Sequence, residues 1–260
     1  MKVLLTNDDG VYARGLWVLA EALSRVGEVT VCAPDREQSG VGTAVSLHRP
    51  VRVSSVVPQV ADIVTYAVEG TPSDSVILAL ESLVPGGFDL VVSGINEGAN
   101  LGNDALISGT IGAALQGYFR GIPAIAVSVT ALHDVHMEPA AKLARLLAMK
   151  VASGALPKPL LLNVNLPNIP LEKLEGVSIT RLGKRSYVDI IQEGYDGKRR
   201  WYWIRRGKPE WATEEGSDIW AIRNNRISIT PLHADLTATD QASALETLAP
   251  SLLLGLRYES

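Results

Sequence analysis

Apolar and polar residues alternate with two different periods over the first 165 positions of the chain. Short apolar runs at 2–5, 29–33 and 89–93 end abruptly in polar residues, and this pattern predicts buried strands. Between the first two runs, leucines recur at spacings of three and four, which predicts an amphipathic helix that stops near Gly27. The same two patterns predict further strands at 51–57, 63–68, 124–127 and 160–164, and further helices at 76–83, 110–119 and 139–151.

Strands that alternate with helices along a chain are typical of βαβ units. Such units build a mostly parallel sheet that is covered on both faces, and this is why its strands are mostly apolar. We therefore predict an α/β fold with a Rossmann-like, mostly parallel sheet and helices on both faces.

The pattern changes after about residue 170. Segments 177–181, 187–191, 200–206 and 226–230 are rich in β-branched and aromatic side chains, and turn residues separate them. The residues at 193–198 read Glu-Gly-Tyr-Asp-Gly-Lys, which predicts the tip of a hairpin. These features favour an antiparallel extension rather than more βαβ units.

Two parts of the chain follow from this change: an α/β core over 1–170 and a C-terminal extension over 171–260. We expect the final helix of the extension to pack back on the core. A lone two-stranded hairpin is marginally stable in water, so we expect the hairpin to dock on a partner subunit and to serve oligomerisation.

The charge and the cysteine content exclude several classes of protein. The 260 residues carry a formal net charge of −4, so a sequence-independent grip on a nucleic-acid duplex is not expected. Cys32 is the only cysteine, which excludes an intrachain disulfide and a cysteine-based zinc site. The apolar runs are far shorter than a membrane span, and the first residues do not resemble a signal peptide. We expect a cytoplasmic protein without a membrane segment.

Two adjacent carboxylates, Asp8 and Asp9, come directly after the first predicted strand. In open α/β sheets, ligands bind beyond the carboxyl ends of the strands. Paired carboxylates repel each other unless a cation or a shared proton offsets their charge. Asn, Asp and Gly also dominate ordinary turns, so this motif alone leaves a metal site and a polar turn open.

Three more polar segments occupy comparable places. The loop at 34–40 follows the second predicted strand, and a stretch rich in Gly and Asn at 93–104 follows another. The segment 108–114 begins a helix, whose free N–H groups and dipole favour an anion. Taken singly, each also fits a plain loop or an ordinary helix cap.

The four segments together indicate more than any one of them. The fold places them at one edge of the sheet, where they offer oxygen donors from two Asp, an Asn and a Ser. Oxygen ligands suit Mg²⁺, Mn²⁺ or Ca²⁺. A cation beside an anion site indicates chemistry on a phosphate.

Six motifs follow one another along nearly the whole chain. They are Leu-Leu-Thr-Asn-Asp-Asp-Gly (4–10), Ala-Pro-x-x-x-Gln-Ser-Gly (33–40), Gly-Thr-Pro-x-Asp (70–74), Ser-Gly-Ile-Asn-x-Gly-x-Asn (93–100), Ser-Gly-Thr-x-Gly-Ala-Ala (108–114) and Asn-Val-Asn-x-Pro (163–167). In these motifs and their order the chain resembles the SurE family, the stationary-phase survival proteins that act as nucleoside monophosphate phosphatases.

The resemblance implies a set of site residues. The family's metal ligands correspond to Asp8, Asp9, Ser39 and Asn96. Its phosphate-binding residues correspond to Gly40, Ser108, Gly109 and Thr110, with Asn96 beside them. One departure is Ile107, where the family usually has a Tyr before Ser-Gly-Thr; it alters the pocket wall but removes no ligand.

The resemblance also implies a function and an assembly. We expect a phosphomonoesterase that uses one divalent cation per subunit, Mg²⁺ or Mn²⁺, to hydrolyse nucleoside 5′- and 3′-monophosphates, with Asp8 or Asp9 as general base. A homodimer or homotetramer is expected, with a C-terminal hairpin exchanged between subunits. Two alternatives stay open from the residues: a Ca²⁺-dependent nucleoside hydrolase, and a nucleotide-binding regulator without turnover.

Overall fold

The computed structural model describes residues 1–186, 189–206, 210–211 and 214–258. The strands are β1 Lys2–Thr6, β2 Glu28–Pro34, β3 Val53–Ser55, β4 Val64–Val68, β5 Leu90–Glu97, β6 Ala124–Val129, β7 Leu161–Leu166, β8 Gly176–Ile179, β9 Arg185–Ser186, β10 Asp189–Tyr195, β11 Arg200–Arg206, β12 Glu210–Trp211 and β13 Arg226–Pro231. The helices are α1 Arg14–Ser24, α2 Pro72–Leu78, α3 Gly109–Tyr118, α4 Glu138–Ala152, α5 Asp218–Arg223 and α6 Thr239–Tyr258.

A nine-stranded central sheet organises the chain, in the order β3-β4-β2-β1-β5-β6-β7-β13-β8. The strands from β4 to β7 are parallel to their neighbours, which confirms the predicted α/β fold. The edge strand β3 is antiparallel to β4, and β13 is antiparallel to β7. A run of βαβ units explains the parallel part, because each helix returns the chain to the same end of the sheet.

Helices cover both faces of this sheet. On one face, α1 and α4 pack on Val3, Leu5 and Val92, and on the other face α2 and α3 pack on Leu4 and Val91. Successive strand residues point to opposite faces, so neighbouring apolar residues serve two separate core layers. This is the reason that the strands read as continuous apolar runs rather than alternating ones.

The C-terminal extension is partly as predicted. Strands β10 and β11 pair as an antiparallel hairpin that is separate from the central sheet, which confirms the hairpin predicted around 193–198. Residues 187 and 188, which the sequence assigns to its first strand, lie outside the described residues.

Two strands expected in the antiparallel extension belong to the central sheet instead. β13 adds to β7, and β8 then pairs with β13 in parallel. Ile227 and Ile229 of β13 join the same buried cluster as the first strand, so burial against this core outweighs a separate extension. The boundary at residue 170 stays a prediction.

The last helix, α6, exposes much of its apolar surface in the single chain. The side chains of Leu248, Leu252 and Leu256 are exposed, and the expected packing of the final helix on the core stays a prediction. None of the helices in the described ranges combines the length and the apolar character that crossing a bilayer requires.

Candidate active site

The order of the strands brings three of the predicted loops together. From β1, the chain builds β2 and β4 to one side and β5, β6 and β7 to the other, so the order reverses between β1 and β5. A reversal of this kind leaves a crevice beyond the carboxyl ends of the strands, where ligands bind in open α/β sheets. The loops that follow β2, β1 and β5 meet at that crevice.

A tight turn presents the two carboxylates at the end of β1. The Asn7 side chain accepts a hydrogen bond from the Gly10 amide (3.2 Å) and donates one to the Gly10 carbonyl (3.0 Å). Gly10 has a φ of +100°, and a Cβ there would touch the Arg36 backbone. The turn therefore needs glycine at this position, both for its conformation and for the close approach of the next loop.

Asp8 is buried and is held from two directions. Its Oδ1 accepts a hydrogen bond of 2.7 Å from the Thr110 hydroxyl, and its backbone carbonyl accepts one of 2.7 Å from the Gln38 amide. Burial raises the pKa of Asp8, and the hydrogen bond from Thr110 opposes that rise. These contacts bring the first carboxylate, the loop after β2 and the start of α3 to one place.

Asp9 stands in an electrostatically unfavourable place. Burial raises its pKa to about 7, and the negative charges of Asp8, Glu97 and Glu37 add to the rise, while the Glu97 backbone amide lowers it. Its Oδ2 atom is buried and has no hydrogen-bond partner among the described residues. A buried, unpaired carboxylate oxygen among like charges is costly unless a cation or a proton joins it.

Asn96 reaches the crevice through an irregularity in β5. The register between β5 and β6 shifts between Ser93 and Asn96, as in a β-bulge. Gly94 lies in this shift with a φ of +136°, and a Cβ there would clash with the Val127 carbonyl oxygen. The Asn96 amide nitrogen donates to the Gly98 carbonyl at 2.8 Å, so its oxygen is the atom it offers to a cation.

Ser39 and Gly40 lie on the exposed loop after β2. The Ser39 hydroxyl donates to the Glu37 carboxylate at 2.6 Å. Gly40 has a φ of +73°, and no heavy atom lies within 4 Å of where its Cβ would be. The backbone bond between Gln38 and Asp8 ties this loop to the crevice, while Ser39 itself contacts Glu37 rather than the two aspartates.

The start of α3 lies directly against Asp8. Ser108 caps the helix and accepts a 3.2 Å hydrogen bond from the Ile111 amide. Gly109 is so close that a Cβ on it would lie 2.9 Å from the Cβ and Oδ2 atoms of Asp8. The sequence-predicted anion site and the predicted carboxylate pair are therefore adjacent, and the helix dipole favours negative charge here.

The donor set fits a hard divalent cation. Among the described residues, no group of three or more His, Cys, Asp or Glu side chains is arranged so that it could hold a metal ion. A cation here would depend on two carboxylates together with neutral hydroxyl and amide oxygens, and such oxygens are ligands for Mg²⁺, Mn²⁺ or Ca²⁺. The unpartnered Asp9 Oδ2 is the observation that favours one.

Several residues around the crevice received no role in the site from the sequence, although two of them belong to the motif Asn-Val-Asn-x-Pro at 163–167. Glu37 and Glu97 add negative charge, and each lies next to or near a motif residue without any spacing that marks it. Asn163 and Asn165, fully buried on β7, lie behind the loop at 97–104. Their signal was visible: two polar residues at period two inside an otherwise apolar strand.

Comparisons with known proteins agree with this geometry. A family model described as "Survival protein SurE" matches residues 3–189. A protein of Dehalococcoides mccartyi (strain CBDB1) named 5′-nucleotidase SurE is 47% identical over 238 residues, which cover 91% of this chain and 90% of that protein. One of the same name from Geobacter sulfurreducens is 47% identical over 249 residues, which cover 95% and 93%. The crystal structure of the SurE protein from Aquifex aeolicus superposes with a TM-score of 0.82 at 38% identity and covers 96% of this chain and 100% of that one.

Proposed function

Because the chain belongs to the SurE family, we propose that it is a divalent-metal-dependent 5′-nucleotidase that hydrolyses nucleoside monophosphates to nucleoside and phosphate. The single observation that carries the proposal is the contact between the carboxylate pair and the start of α3, where Thr110 bonds to Asp8. A cation site next to an anion site suits a phosphate ester, because the cation and the backbone amides can each bind one of its negatively charged oxygens. The relatives named above favour neither a nucleoside hydrolase nor a regulator without turnover.

The proposed ligands of the cation are Asp8, Asp9, Ser39 and Asn96. When bound, a divalent cation would supply a Lewis acid that offsets the charge on a non-bridging phosphoryl oxygen. The Ser39 hydroxyl would have to turn from Glu37 toward the aspartates, which its exposed loop allows without disturbing the core. We favour Mg²⁺ or Mn²⁺, one per subunit.

The phosphate would lie at the start of α3. Backbone amides of Ser108, Gly109 and Thr110 provide N–H donors at the positive end of the helix dipole. Gly40 adds a backbone segment with open space around it, so a phosphate oxygen could approach that loop closely. These groups bind the part that all phosphomonoesters share.

The hydrolysis itself needs a base. A water oxygen forms the new bond to phosphorus, the ester P–O bond breaks, and one of the two carboxylates, Asp8 or Asp9, takes the proton that the water loses. The proton that the departing nucleoside oxygen requires then comes from solvent or from the same carboxylate. The hydrogen bond from Thr110 orients Asp8, whether it takes the proton of the water or gives a proton to the departing oxygen.

The same reasoning extends to assembly and location. We propose a homodimer or homotetramer in which the β10–β11 hairpin docks on a partner, because its Ile191, Tyr202 and Trp203 side chains are exposed in the single chain. A cytoplasmic location, and a boundary at residue 170 between the core and the extension, stay predictions.

Phosphate release from AMP, measured with Mn²⁺ and then with EDTA, tests the function. We expect release with the metal and none in chelator. Adenine as the product would instead indicate a nucleoside hydrolase, and nucleotide binding without any product would indicate a regulator. A phosphodiester is the matched control, because its second ester group removes an anionic oxygen that the cation and the amides would bind.

A further inference from the structure

We propose that Asn163 and Asn165 of β7 are positioning residues for the nucleotidase site, and that they act through Asn100 and Thr110 to orient the Asp8 carboxylate. The inference rests on the proposed function. The two residues lie on β7 of the central sheet and contact the loop at 97–104 from the side of the sheet.

The two asparagines hold the backbone of one residue of that loop, Asn100, at both its amide and its carbonyl. Both are fully buried, and the period of two along β7 places them on the same face. The Asn100 amide donates to Asn165 Oδ1 at 2.9 Å, and the Asn100 carbonyl accepts from Asn163 Nδ2 at 2.8 Å and Asn165 Nδ2 at 3.2 Å. A further bond of 3.1 Å from Asn165 Nδ2 to Asn163 Oδ1 fixes the two side chains against each other.

Further hydrogen bonds connect Asn100 with Asp8 through Thr110. The Asn100 side-chain nitrogen donates to the Ser128 hydroxyl at 2.9 Å and to the Thr110 hydroxyl at 3.3 Å. Thr110 has one hydroxyl proton, and since its oxygen accepts from Asn100, that proton is free to point at Asp8 Oδ1, 2.7 Å away. The chain of hydrogen bonds from β7 therefore sets which way the Thr110 hydroxyl points and where Asp8 is held.

A purely structural role is the competing explanation. Buried amides do stabilise a loop when all their bonds are made, and a lost partner lowers the free energy of unfolding. Such a role would lower the stability of the fold without a specific effect on the site. Residues that orient a metal ligand from behind typically change metal affinity or activity about 10-fold to 100-fold.

Asn165→Ala is the direct test, with Ser228→Ala as the matched control. Ser228 is buried beside Asn165 in the register of β13 and β7, but it bonds to the Thr180 hydroxyl rather than to the site loop. For each variant, Mn²⁺ affinity is measured by calorimetry, kcat and KM by phosphate release, and the free energy of unfolding by denaturant. Asn165→Ala should weaken Mn²⁺ binding or lower kcat/KM about 10-fold to 100-fold, and Ser228→Ala should stay within about twofold of the wild type.

A double-mutant cycle separates positioning from stability. If Asn165 acts through the Asn100 side chain, then Asn165→Ala in an Asn100→Ala background should cost little more kcat/KM than Asn100→Ala alone. Effects on kcat/KM that multiply in the double variant, or an Asn165→Ala enzyme with wild-type kcat/KM and Mn²⁺ affinity, would overturn the proposal.

Two further outcomes are kept distinct. If Asn165→Ala does not fold, Asn163→Ala, which spares the acceptor of the Asn100 amide, is judged by the same criteria in its own cycle with Asn100→Ala. A wild-type enzyme that releases no phosphate with Mn²⁺ contradicts the proposed function and this inference with it. An active wild type whose Asn165→Ala variant keeps both the wild-type kcat/KM and the wild-type Mn²⁺ affinity contradicts the inference alone.

Discussion

Replacing Gly109 by Ala should impair the site while leaving the fold stable. Gly109 is the first residue of α3, and Ala is the better helix former by about 1 kcal/mol in a helix interior. The added methyl group, however, would lie 2.9 Å from the Cβ and Oδ2 atoms of Asp8. Carbon atoms prefer separations of about 3.5 Å or more, so Asp8 and the start of α3 must part by about 0.5 Å.

The magnitude follows from how tightly Asp8 is held. Asp8 is only 5% exposed and accepts the Thr110 hydrogen bond, so it cannot move away without breaking that contact. A misplacement of about 1 Å in a catalytic site costs about 100-fold in rate. For the smaller shift here we expect kcat/KM to fall about 10-fold to 100-fold, which is about 1.4–2.7 kcal/mol of transition-state stabilisation.

The assay compares this variant with Gly121→Ala, just beyond the other end of the same helix. Gly121 has a φ of +73° with open space around it, so an Ala there is strained by about 1–2 kcal/mol but touches nothing. We expect Gly121→Ala to lower Tm and to keep the wild-type kcat/KM. Gly109→Ala should instead keep Tm and lower kcat/KM. A folded Gly109→Ala enzyme with wild-type kcat/KM would refute the reasoning that Asp8 is held at a functional position.

Other predictions test the cation, the hairpin, the tie between the extension and the site loop, and the substrate range. Asp8→Asn or Asp9→Asn should each lower kcat at least ~100-fold in a Mn²⁺-supplemented phosphate assay, as when a transition-state electrostatic group is lost, and full activity in either would exclude these ligands. Deleting residues 190–203 should shift the protein toward monomer in sedimentation velocity, and an unchanged oligomer would contradict docking of the hairpin. Asp218→Asn should cost about 1–3 kcal/mol of unfolding free energy in denaturant titrations. The carboxylate accepts from three backbone amides, among them that of Gly102 at 2.7 Å, and an Asn side chain in either orientation leaves at least one of these amides unpaired. An unchanged denaturation midpoint would show that the contact is dispensable. A kcat/KM panel over nucleoside 5′-monophosphates should vary within ~100-fold, since the groups assigned to binding read only phosphate, and a preference above ~10⁴-fold for one base would reveal a base-reading group not identified among them.

The sheet was predictable where strands were buried on both faces. The runs that became β1, β2, β5, β6 and β7 are mostly apolar, so length and flanking turns were enough to mark them. For strand β13, the local pattern predicted a strand but not its place in the central sheet. Its alternation of Ser228 and Thr230 with isoleucines predicts a strand with one solvent-facing side, but both hydroxyls are buried against Thr180. Pairing partners are set by contacts between distant segments, which local patterns do not encode.

The site divides in the same way. Asp8, Asn96 and the start of α3 follow strands or begin a helix, so the topology of an α/β sheet places them together without any knowledge of side-chain contacts. Asp218 lies 116 residues from Gly102, whose amide it accepts, and no spacing in the sequence marks that contact. Residues held by such long-range hydrogen bonds were therefore missed, as were Glu37 and Glu97 at the crevice, whereas Asp8, Asn96 and the start of α3 could be proposed from the topology.

The buried asparagines on β7 show why such supporting residues persist in an apolar layer. A valine or leucine at Asn163 or Asn165 would bury apolar surface without the penalty that an amide carries when any bond is missing. Apolar residues at both positions would also leave the amide and carbonyl of Asn100 without these partners, since the asparagines supply an acceptor for the one and donors for the other. Either the core contains the two side-chain amides of Asn163 and Asn165, or the loop that leads to α3 loses the hydrogen bonds that hold it at Asn100. On the proposal made above, the same hydrogen bonds continue through Thr110 to Asp8, so these two polar residues of the strand serve the carboxylate as well as the loop.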